Sequence, residues 1–211
     1  MKRSPRGLVR VQIRRPGERP AWRSLLRSCE VELPILIVMT SRIRLHPFSP
    51  DDLIALIDGA SELEAPGGIR LADGVRDFFV SGEVSQAWLD ALRAATSTDS
   101  WRHGFAVVER ETETVIGTAA FKGPPDADGV VEIAYGIVPA KENHGFATEA
   151  AAALVAFAFD EPAVRTIRAH TLPAPNASTR VLKKCLFSYI GEVDDPEDGR
   201  VWRWERERNN G

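Results

Sequence analysis

The stretch Lys141–Ala151, with the sequence KENHGFATEAA, decides the fold of this chain. A turn around Gly145 runs directly into an alanine-rich segment. Apolar residues recur there with the 3.6-residue period of an α-helix that packs on a sheet, at Ala147, Ala150, Ala151, Leu154, Val155 and Ala158. The first turn of such a helix carries unpaired N–H groups at the positive end of the helix dipole, which suits an anion. Because every helix that follows a strand begins in this way, the stretch alone leaves open a phosphate-binding turn or a plain helix start.

The segments around this helix have strand and helix patterns in alternation. Strands are predicted at 42–48, 103–110, 114–122, 130–138, 165–172, 187–193 and 200–207, and helices at 49–59, 83–95 and 176–185. Ser49 and Asn176 are typical N-cap residues for two of these helices. Residues 60–82 lack clear periodicity and predict a loop with short helical pieces. The short connections between the three central strands predict an antiparallel meander.

The whole order predicts a single mixed, mostly antiparallel α/β sheet flanked by helices. Trp202 and Trp204 alternate on the last strand and therefore share one face, where core packing is the expected role.

Charge divides the chain into two parts. The formal net charge is -3, but residues 1–38 contain nine Lys and Arg against three Glu, so the remainder is acidic. We expect residues 1–38 to be a disordered extension and 39–211, beginning at Met39, to be the folded domain. The alternative is a basic arm that binds nucleic acid or a membrane surface. The acidic remainder disfavours nucleic acid as a partner.

Cysteine usage and hydropathy exclude several classes of protein. Cys29 and Cys185 form no CxxC pair and have no nearby histidine cluster, which argues against a disulfide framework and against a metal site. A reducing compartment is favoured, so we expect a cytoplasmic protein. No apolar run reaches the roughly 18 residues of a membrane span, so no membrane partner is expected. The sequence leaves a monomer and a homodimer equally open.

Three motifs in order resemble the GNAT superfamily of acetyl-CoA-dependent N-acetyltransferases, and most closely the branch that acetylates the N-termini of ribosomal proteins. They are VEIAYGIVP at 131–139, the turn quoted above, and NASTRVLKKCLF at 176–187. The resemblance covers about residues 41–204. It implies a GNAT-like fold, acetyl-CoA as the acetyl donor and an amine as the acceptor.

The resemblance also implies where acetyl-CoA would lie. In that family, the turn reads Gln or Arg, two residues, Gly, one residue, then Gly or Ala, and its main-chain amides hold the pyrophosphate. Here the pattern begins at Glu142, and the implied ligands are Asn143, His144, Gly145, Phe146, Ala147 and Thr148. The pantetheine arm would pair with the main chain of Tyr135, Gly136, Ile137 and Val138, and would receive a hydrogen bond from Asn176.

This chain departs from the family pattern at three positions. Glu142 replaces Gln or Arg and brings a carboxylate towards the anion. Asn143 stands where a second glycine is common, and asparagine tolerates a positive φ better than most residues. Leu186 replaces a glycine, and we expect its branched side chain to crowd the turn between helix and strand.

Two residues are candidates for catalysis through the same resemblance. Glu132 matches a position where related enzymes carry a glutamate that acts as a base, directly or through water; the alternative is a solvent-facing strand residue. Ser178 resembles a serine near the coenzyme A sulfur; the alternative is an ordinary residue of the helix start. Many relatives carry a tyrosine four residues later, where this chain has Leu182.

The sequence therefore predicts an N-acetyltransferase that moves an acetyl group to a primary amine, either a protein N-terminus or a small amine, by direct attack. Two other functions stay open. One is an acyl-CoA-binding or regulatory module without turnover, suggested by Glu142, Asn143, Leu182 and Leu186. The other is nucleic-acid binding through the basic arm.

Overall fold

The computed structural model describes residues 38–63, 68–80, 86–196 and 198–208. The basic segment 1–38 lies outside the described residues except for Val38, so its predicted disorder stays a prediction. Ten strands are present in the described part: β1 Val38–Met39, β2 Ile43–Pro47, β3 Glu62–Leu63, β4 Ile69–Leu71, β5 Phe105–Glu109, β6 Thr114–Phe121, β7 Val130–Ile137, β8 Thr166–Thr171, β9 Ser188–Asp195 and β10 Gly199–Glu207. The helices there are α1 Pro50–Asp58, α2 Asp77–Val80, α3 Gln86–Ala94, α4 Ser100–His103, α5 Phe146–Asp160 and α6 Ala177–Lys184.

These strands form one mixed sheet in the order β1-β2-β5-β6-β7-β8-β10-β9. β7 and β8 run parallel, as do β4 and the start of β6, and the other neighbours are antiparallel. The predicted meander of β5, β6 and β7 is confirmed. The predicted class, a mixed and mostly antiparallel sheet flanked by helices, is confirmed as well.

Each face of the sheet buries a separate apolar cluster. α5 and α6 pack on one face, where Leu154, Leu182 and Trp204 belong to the same buried cluster as residues of β2, β5, β6, β7, β8 and β10. α1 and α3 pack on the other face, with Leu53 and Leu92 among its buried residues. Side chains alternate between the faces along a strand, so each strand of β5–β7 contributes apolar residues to the α5 side. The predicted core position of Trp204 is confirmed, since it is 3% exposed.

Local sequence explains how α1 and α5 begin and end. Ser49 is the N-cap of α1 and the helix ends at Gly59, as the sequence predicted; Ser49 and Asp52 also form a capping box, and Gly59 lies in the left-handed region. α5 has no basic residue in its last turn. Arg208, which follows β10, supplies the missing cation and donates to the carbonyls of Phe159 at 2.7 Å, Glu161 at 2.6 Å and Val164 at 2.8 Å.

The prediction for residues 60–82 is wrong in part. Short helix α2 is present, but β3 and β4 also form a hairpin, and β4 adds to the sheet with Arg70 opposite Thr114. α4 was not predicted either. Strands of two or three residues and a one-turn helix are too short to show a hydrophobic period, so tertiary pairing decides them.

Candidate active site

β7 and β8 begin as neighbours and then separate. They pair from Val130 with Thr166 to Glu132 with Arg168, and pairing stops there. β7 nevertheless continues to Ile137 and β8 continues to Thr171. A gap therefore opens inside the sheet, with one edge of β7 unpaired.

The direction of the β7 main chain decides which groups face this gap. The Glu132 carbonyl accepts from the N–H of Lys122 at 2.9 Å, so it points to β6. Because direction alternates along a strand, the main-chain groups of Ile133, Tyr135 and Ile137 point the other way, towards β8. Beyond the last pair, Glu132 with Arg168, the groups of Tyr135 and Ile137 offer a free strand edge to an extended ligand.

Gly136 and Val138 face away from the gap. The Val138 N–H donates to the carbonyl of Ile116 at 2.9 Å, and its own carbonyl accepts from the N–H of Lys141 at 2.9 Å. Both main-chain groups of Val138 are thus satisfied, and the predicted pairing of Val138 with a ligand is wrong. Gly136 has the same main-chain direction as Val138, so its amide faces β6 too.

The turn before α5 is built from two left-handed residues. Asn143 has a φ of 61° and Gly145, the N-cap of α5, has a φ of 85°. The first α-helical bonds of α5 start beyond Ala147, with Thr148 and Glu149 donating to the Gly145 carbonyl at 3.1 and 3.2 Å. The N–H groups of Phe146 and Ala147 therefore have no acceptor in their own helix.

A cleft of about 380 Å³ lies between this turn, the free edge of β7 and the start of α6. Asn143, Gly145, Ala147 and Thr148 line it from the turn, and Tyr135, Gly136 and Ile137 line it from β7. α6 contributes Ala177, Ser178, Arg180, Val181 and Lys184. Free amides, a strand edge and cationic side chains thus meet in one groove.

Charge in the cleft is mainly positive. Arg180 and Lys184 stand four residues apart on α6 and face the same groove. Lys141 also lines it, with its ammonium 2.6 Å from the Glu109 carboxylate. That hydrogen bond, together with one from Thr112, holds the pKa of Glu109 below its usual value. Glu142 also lines the cleft, and its exposed carboxylate adds a negative charge there.

The Phe78 ring packs beside the gap on the face of the sheet opposite α5. A Cβ on Gly136 would lie 2.9 Å from the Phe78 ring, so the ring rests directly on the glycine. Gly136 belongs to the face opposite α5, since Ile133 and Ile137 pack on the α5 side. The cleft, which Phe78 also lines, therefore passes through the sheet.

Glu132 lies on the opposite face, at the point where the strands separate. Its Oε1 is 3.2 Å from Nδ1 of His170 and 3.1 Å from Nζ of Lys122. Arg203 donates from Nε to Nε2 of His170 at 3.4 Å, so the histidine proton belongs on Nδ1, from which it donates to Glu132. The side chains of Glu132 and His170 are only 19% and 9% exposed.

Two hydroxyl groups face each other across the α5 side of the cleft. Tyr135 extends from β7 towards α6, and Ser178 lies in the first turn of α6. Burial raises the pKa of Tyr135, and the nearby Ser178 hydroxyl opposes that effect only in part. Tyr135 thus remains a protonated hydrogen-bond donor over the ordinary pH range.

Comparison with known proteins identifies this arrangement. Residues 42–188 match the family model described as acetyltransferase (GNAT) domain. The chain belongs to the GNAT acetyltransferase family. Members of this family use acetyl-CoA as the acetyl donor, and the splayed strands, left-handed turn and cationic groove fit that molecule.

Relatives of the GNAT family cover most of the chain. The uncharacterized N-acetyltransferase YjdG of Bacillus subtilis is 24% identical over 159 residues, which are 72% of this chain and 90% of that protein. A putative ribosomal-protein-serine acetyltransferase from Vibrio cholerae superposes with a TM-score of 0.56 at 17% identity, covering 84% of this chain and 100% of that one. An aminoglycoside acetyltransferase in complex with coenzyme A gives 0.53 at 20% identity, covering 79% and 95%. These two structures are similar in fold.

Not all of the site residues predicted from the GNAT resemblance line the cleft. Ser178 lines the cleft, but His144 and Phe146 do not: His144 is exposed, and the Phe146 side chain is buried in the core. Phe146 can therefore contribute only its main-chain amide. Asn176 is the N-cap of α6, where its Oδ1 accepts from the Thr179 N–H at 2.9 Å. Leu182 is fully buried, so this chain presents no polar group from that position.

Several residues in or beside the GNAT cleft were not predicted. Arg180 and Lys184 carried a detectable pattern, because two cations four residues apart on a helix that starts at a cleft share one face. His170 could not be linked to Glu132 before the register of β7 and β8 was known. Arg42 contacts the turn as well, with its guanidinium 4.9 Å from the Phe146 ring centroid.

Neither a metal centre nor a membrane span is evident in the described ranges. No group of three or more metal-ligating side chains is brought together there. No helix among them combines the length and apolar character needed to cross a membrane.

Proposed function

We propose that this protein transfers the acetyl group of acetyl-CoA to a primary amine, either a protein N-terminus or a small amine, by direct attack. The observation that carries this proposal is the gap between β7 and β8 that opens beside the left-handed turn of α5. The gap supplies an unpaired strand edge for an amide-containing arm, and the turn supplies amides for its phosphates.

The phosphate end of the donor would be held by the turn and by α6. The amides of Gly145, Phe146 and Ala147 lie at the positive end of a 15-residue helix. Arg180 and Lys184 add charge from the other wall. Glu142 opposes this attraction, but its exposed carboxylate is screened by water and salt.

The reacting end would lie between Ser178 and Glu132. Acetyl-CoA supplies the acetyl group as a thioester with a polarised carbonyl, and the main-chain amide of Tyr135, which faces the gap on β7, would polarise it further. On the far face, Glu132 would take the proton that the attacking amine loses. Its hydrogen bond with His170 fixes the direction of the carboxylate.

An acceptor amine must be neutral to attack. A lysine-type amine has a reference pKa of about 10.4 and a protein α-amine about 7.7 to 8.0, so a lysine-type amine depends more on a base. The carboxylates of Glu132 and Asp195 both lie within 4 Å of His170, and Lys122 and Arg203 bring cations to the same cluster, so this face carries charges of both signs.

Calorimetric titration of the full chain with acetyl-CoA tests the donor site. Lys184→Gln should weaken binding about three- to tenfold, most at low salt, because it removes one cation from the groove. Lys183→Gln is the matched control on the same helix. Its ammonium lies 5.9 Å from the Trp204 ring and the residue does not line the cleft, so binding should not change.

Thiol release across a panel of amines then separates the possible functions. Release with an N-terminal peptide or a small amine supports acetyl transfer. Tight binding without release from any amine would instead identify an acyl-CoA-binding module. Equal loss of affinity in both lysine variants, or no binding by the native chain, would contradict the proposed donor site.

A further inference from the structure

The Phe78 ring is an exposed apolar group fitted against a glycine at the cleft. It is 41% exposed and lines the cleft beside Gly136. A Cβ on Gly136 would lie 2.9 Å from the Phe78 Cε1, and the three atoms nearest to that Cβ all belong to the same ring. The ring can therefore occupy this place only because residue 136 is glycine.

The neighbours of Phe78 in the chain fix its position. Val75, just before α2, is fully buried, and Phe79 packs edge-on against Phe48 with ring centroids 5.5 Å apart. Arg76 donates to two main-chain carbonyls at the end of α1, at 2.9 and 2.8 Å. The chain on both sides of Phe78 is thus tied to the core, so the ring cannot move away from the gap without displacement of α2.

The acyl group of the donor would meet this ring. Side chains alternate along β7, so Glu132 and Gly136 share the face opposite α5. In the proposed reaction the sulfur lies on the Ser178 side and the amine attacks from the Glu132 side, which places the acyl group in the passage between the two faces. Among the described residues of α1, α2 and α3, Phe78 is the one that lines this passage. An acyl chain that extends towards the Glu132 face would therefore end against its ring.

We propose that Phe78 limits the length of the acyl group that this protein transfers, so that acetyl is accepted and butyryl or a longer chain is rejected. This inference rests on the proposed function. A ring that is held by its neighbours and rests on main chain has no room to yield, and forcing extra methylenes into a filled space costs more than their burial gains.

The chemistry of the step is the same for every chain length. The amine lone pair forms the new C–N bond, and the C–S bond breaks with its electron pair on sulfur. Glu132 takes the amine proton and later releases it to water, while the thiolate takes one proton from water. Phe78 exchanges neither protons nor electrons, so it acts on the choice of donor through its volume alone.

The test compares kcat/KM for acetyl-, propionyl-, butyryl- and hexanoyl-coenzyme A with one amine acceptor. One methylene in a tight pocket changes kcat/KM by about 10- to 200-fold, so native protein should prefer acetyl to butyryl by about 100-fold or more. Phe78→Ala should raise kcat/KM for butyryl by about tenfold or more and keep the acetyl value within about threefold. Phe78→Leu, which removes less volume, should give an intermediate preference.

Phe79→Leu is the matched control on the same helix. Its ring does not line the cleft, so this variant should keep the native preference for acetyl.

A binding measurement makes the same comparison without an acceptor. Calorimetric titration should give native protein a weaker affinity for butyryl-coenzyme A than for acetyl-CoA, and Phe78→Ala similar affinities for both. Free coenzyme A carries no acyl group, so native protein and Phe78→Ala should bind it equally. Weaker binding of free coenzyme A by the variant would assign the ring to the pantetheine arm and overturn the proposed limit.

The remaining results are distinct. The native chain-length preference in Phe78→Ala, or efficient butyryl transfer by native protein, would overturn the role of Phe78 and leave the proposed function standing. A change in the KM of the amine that is equal for all donors would place Phe78 on the acceptor side and overturn the role as well. Failure of the native chain to bind acetyl-CoA, or to release thiol with any amine, would overturn both.

Discussion

Glu132 shows how much the function of one residue depends on its neighbours. The sequence predicted it as a base by its place on a strand, and its role stays a prediction. The structure adds two partners, His170 at 3.2 Å and Lys122 at 3.1 Å. Both contacts use the same carboxylate oxygen, Oε1, which leaves Oε2 as the better candidate to receive a proton.

Replacement of Glu132 by glutamine should lower turnover by roughly 100-fold at pH 7 and by much less near pH 10, where the amine loses its proton to solvent. Glutamine keeps an oxygen that can accept from His170 and Lys122, so the fold should be retained. The measurement is the pH dependence of kcat/KM with an N-terminal peptide or a small amine. Glu205→Gln, which changes an ion-paired carboxylate on β10, two strands away from β7, is the control. A pH profile with the same shape in Glu132→Gln and native protein would exclude Glu132 as the base.

At this scale the sequence predicts main-chain conformation better than contacts. Asn143 adopts the positive φ that its residue type tolerates. The burial of the Tyr135 hydroxyl beside Ser178 and the pairing of His170 with Glu132 could not be predicted, because they depend on strand register and on the docking of α6. Local residue patterns carry no information about either feature.

The end of α6 places one residue in an unfavourable main-chain conformation. The N–H of Leu186 donates to the Lys183 carbonyl at 3.1 Å and that of Phe187 donates to the Leu182 carbonyl at 3.0 Å, which forms a Schellman motif. This motif places Leu186 at a φ of 64°, where glycine is favoured. The expected crowding is wrong, since the side chain is 72% exposed. The strain lies in the main chain instead.

Leu186→Gly should therefore stabilise the protein by about 1 kcal/mol, since it relieves left-handed strain and loses little buried area. This corresponds to a rise in Tm of about 2 to 4 °C, measured by calorimetry. Leu172→Gly is a matched control. Leu172 is 70% exposed and is not among the residues with positive φ, so glycine should lower Tm there. Similar shifts in both variants would argue against strain at Leu186.

Helices and strands were predicted correctly where they are long enough for a hydrophobic pattern to repeat. α5 spans 15 residues and contains the whole apolar stripe predicted from Ala147 to Ala158, and α1, which has both caps in its sequence, was predicted within one residue at each end. β3 and β4 have two and three residues, so no period can appear. Their existence depends on the pairing of Arg70 with Thr114, which is a property of the folded sheet.

Across the whole molecule, an ion pair joins the sheet to the cleft. Glu109 ends β5 and Lys141 follows β7, so the pair spans β6. The pKa of Glu109 is lowered chiefly by its hydrogen bond with Lys141. Stability from this carboxylate is thus present above its unfolded pKa, about 4.5, and is lost as the pH falls through the lower folded value.

Glu109→Gln should lower the free energy of unfolding by about 1 to 3 kcal/mol at pH 7, because a charge-assisted bond is lost and Lys141 keeps its charge. The difference from native protein should shrink as the pH falls well below 4.5. Urea unfolding at several pH values provides the measurement, and Glu111→Gln, in the exposed turn after β5, is the control. A constant difference at all pH values would show that the ion pair does not cause the acid sensitivity.

The anchoring of α5 has a consequence for the way the molecule assembles. Glu149, in the first turn of α5, accepts from Nε of Arg42 at 2.6 Å, a contact between residues 107 positions apart. Closing a loop of that length carries an entropy cost that local helix formation does not repay. Such a contact is expected to form late, when the sheet between its two ends is already in place. The turn before α5 should then mature only near the end of folding, and a nascent chain released before residue 149 would lack the carboxylate that anchors it.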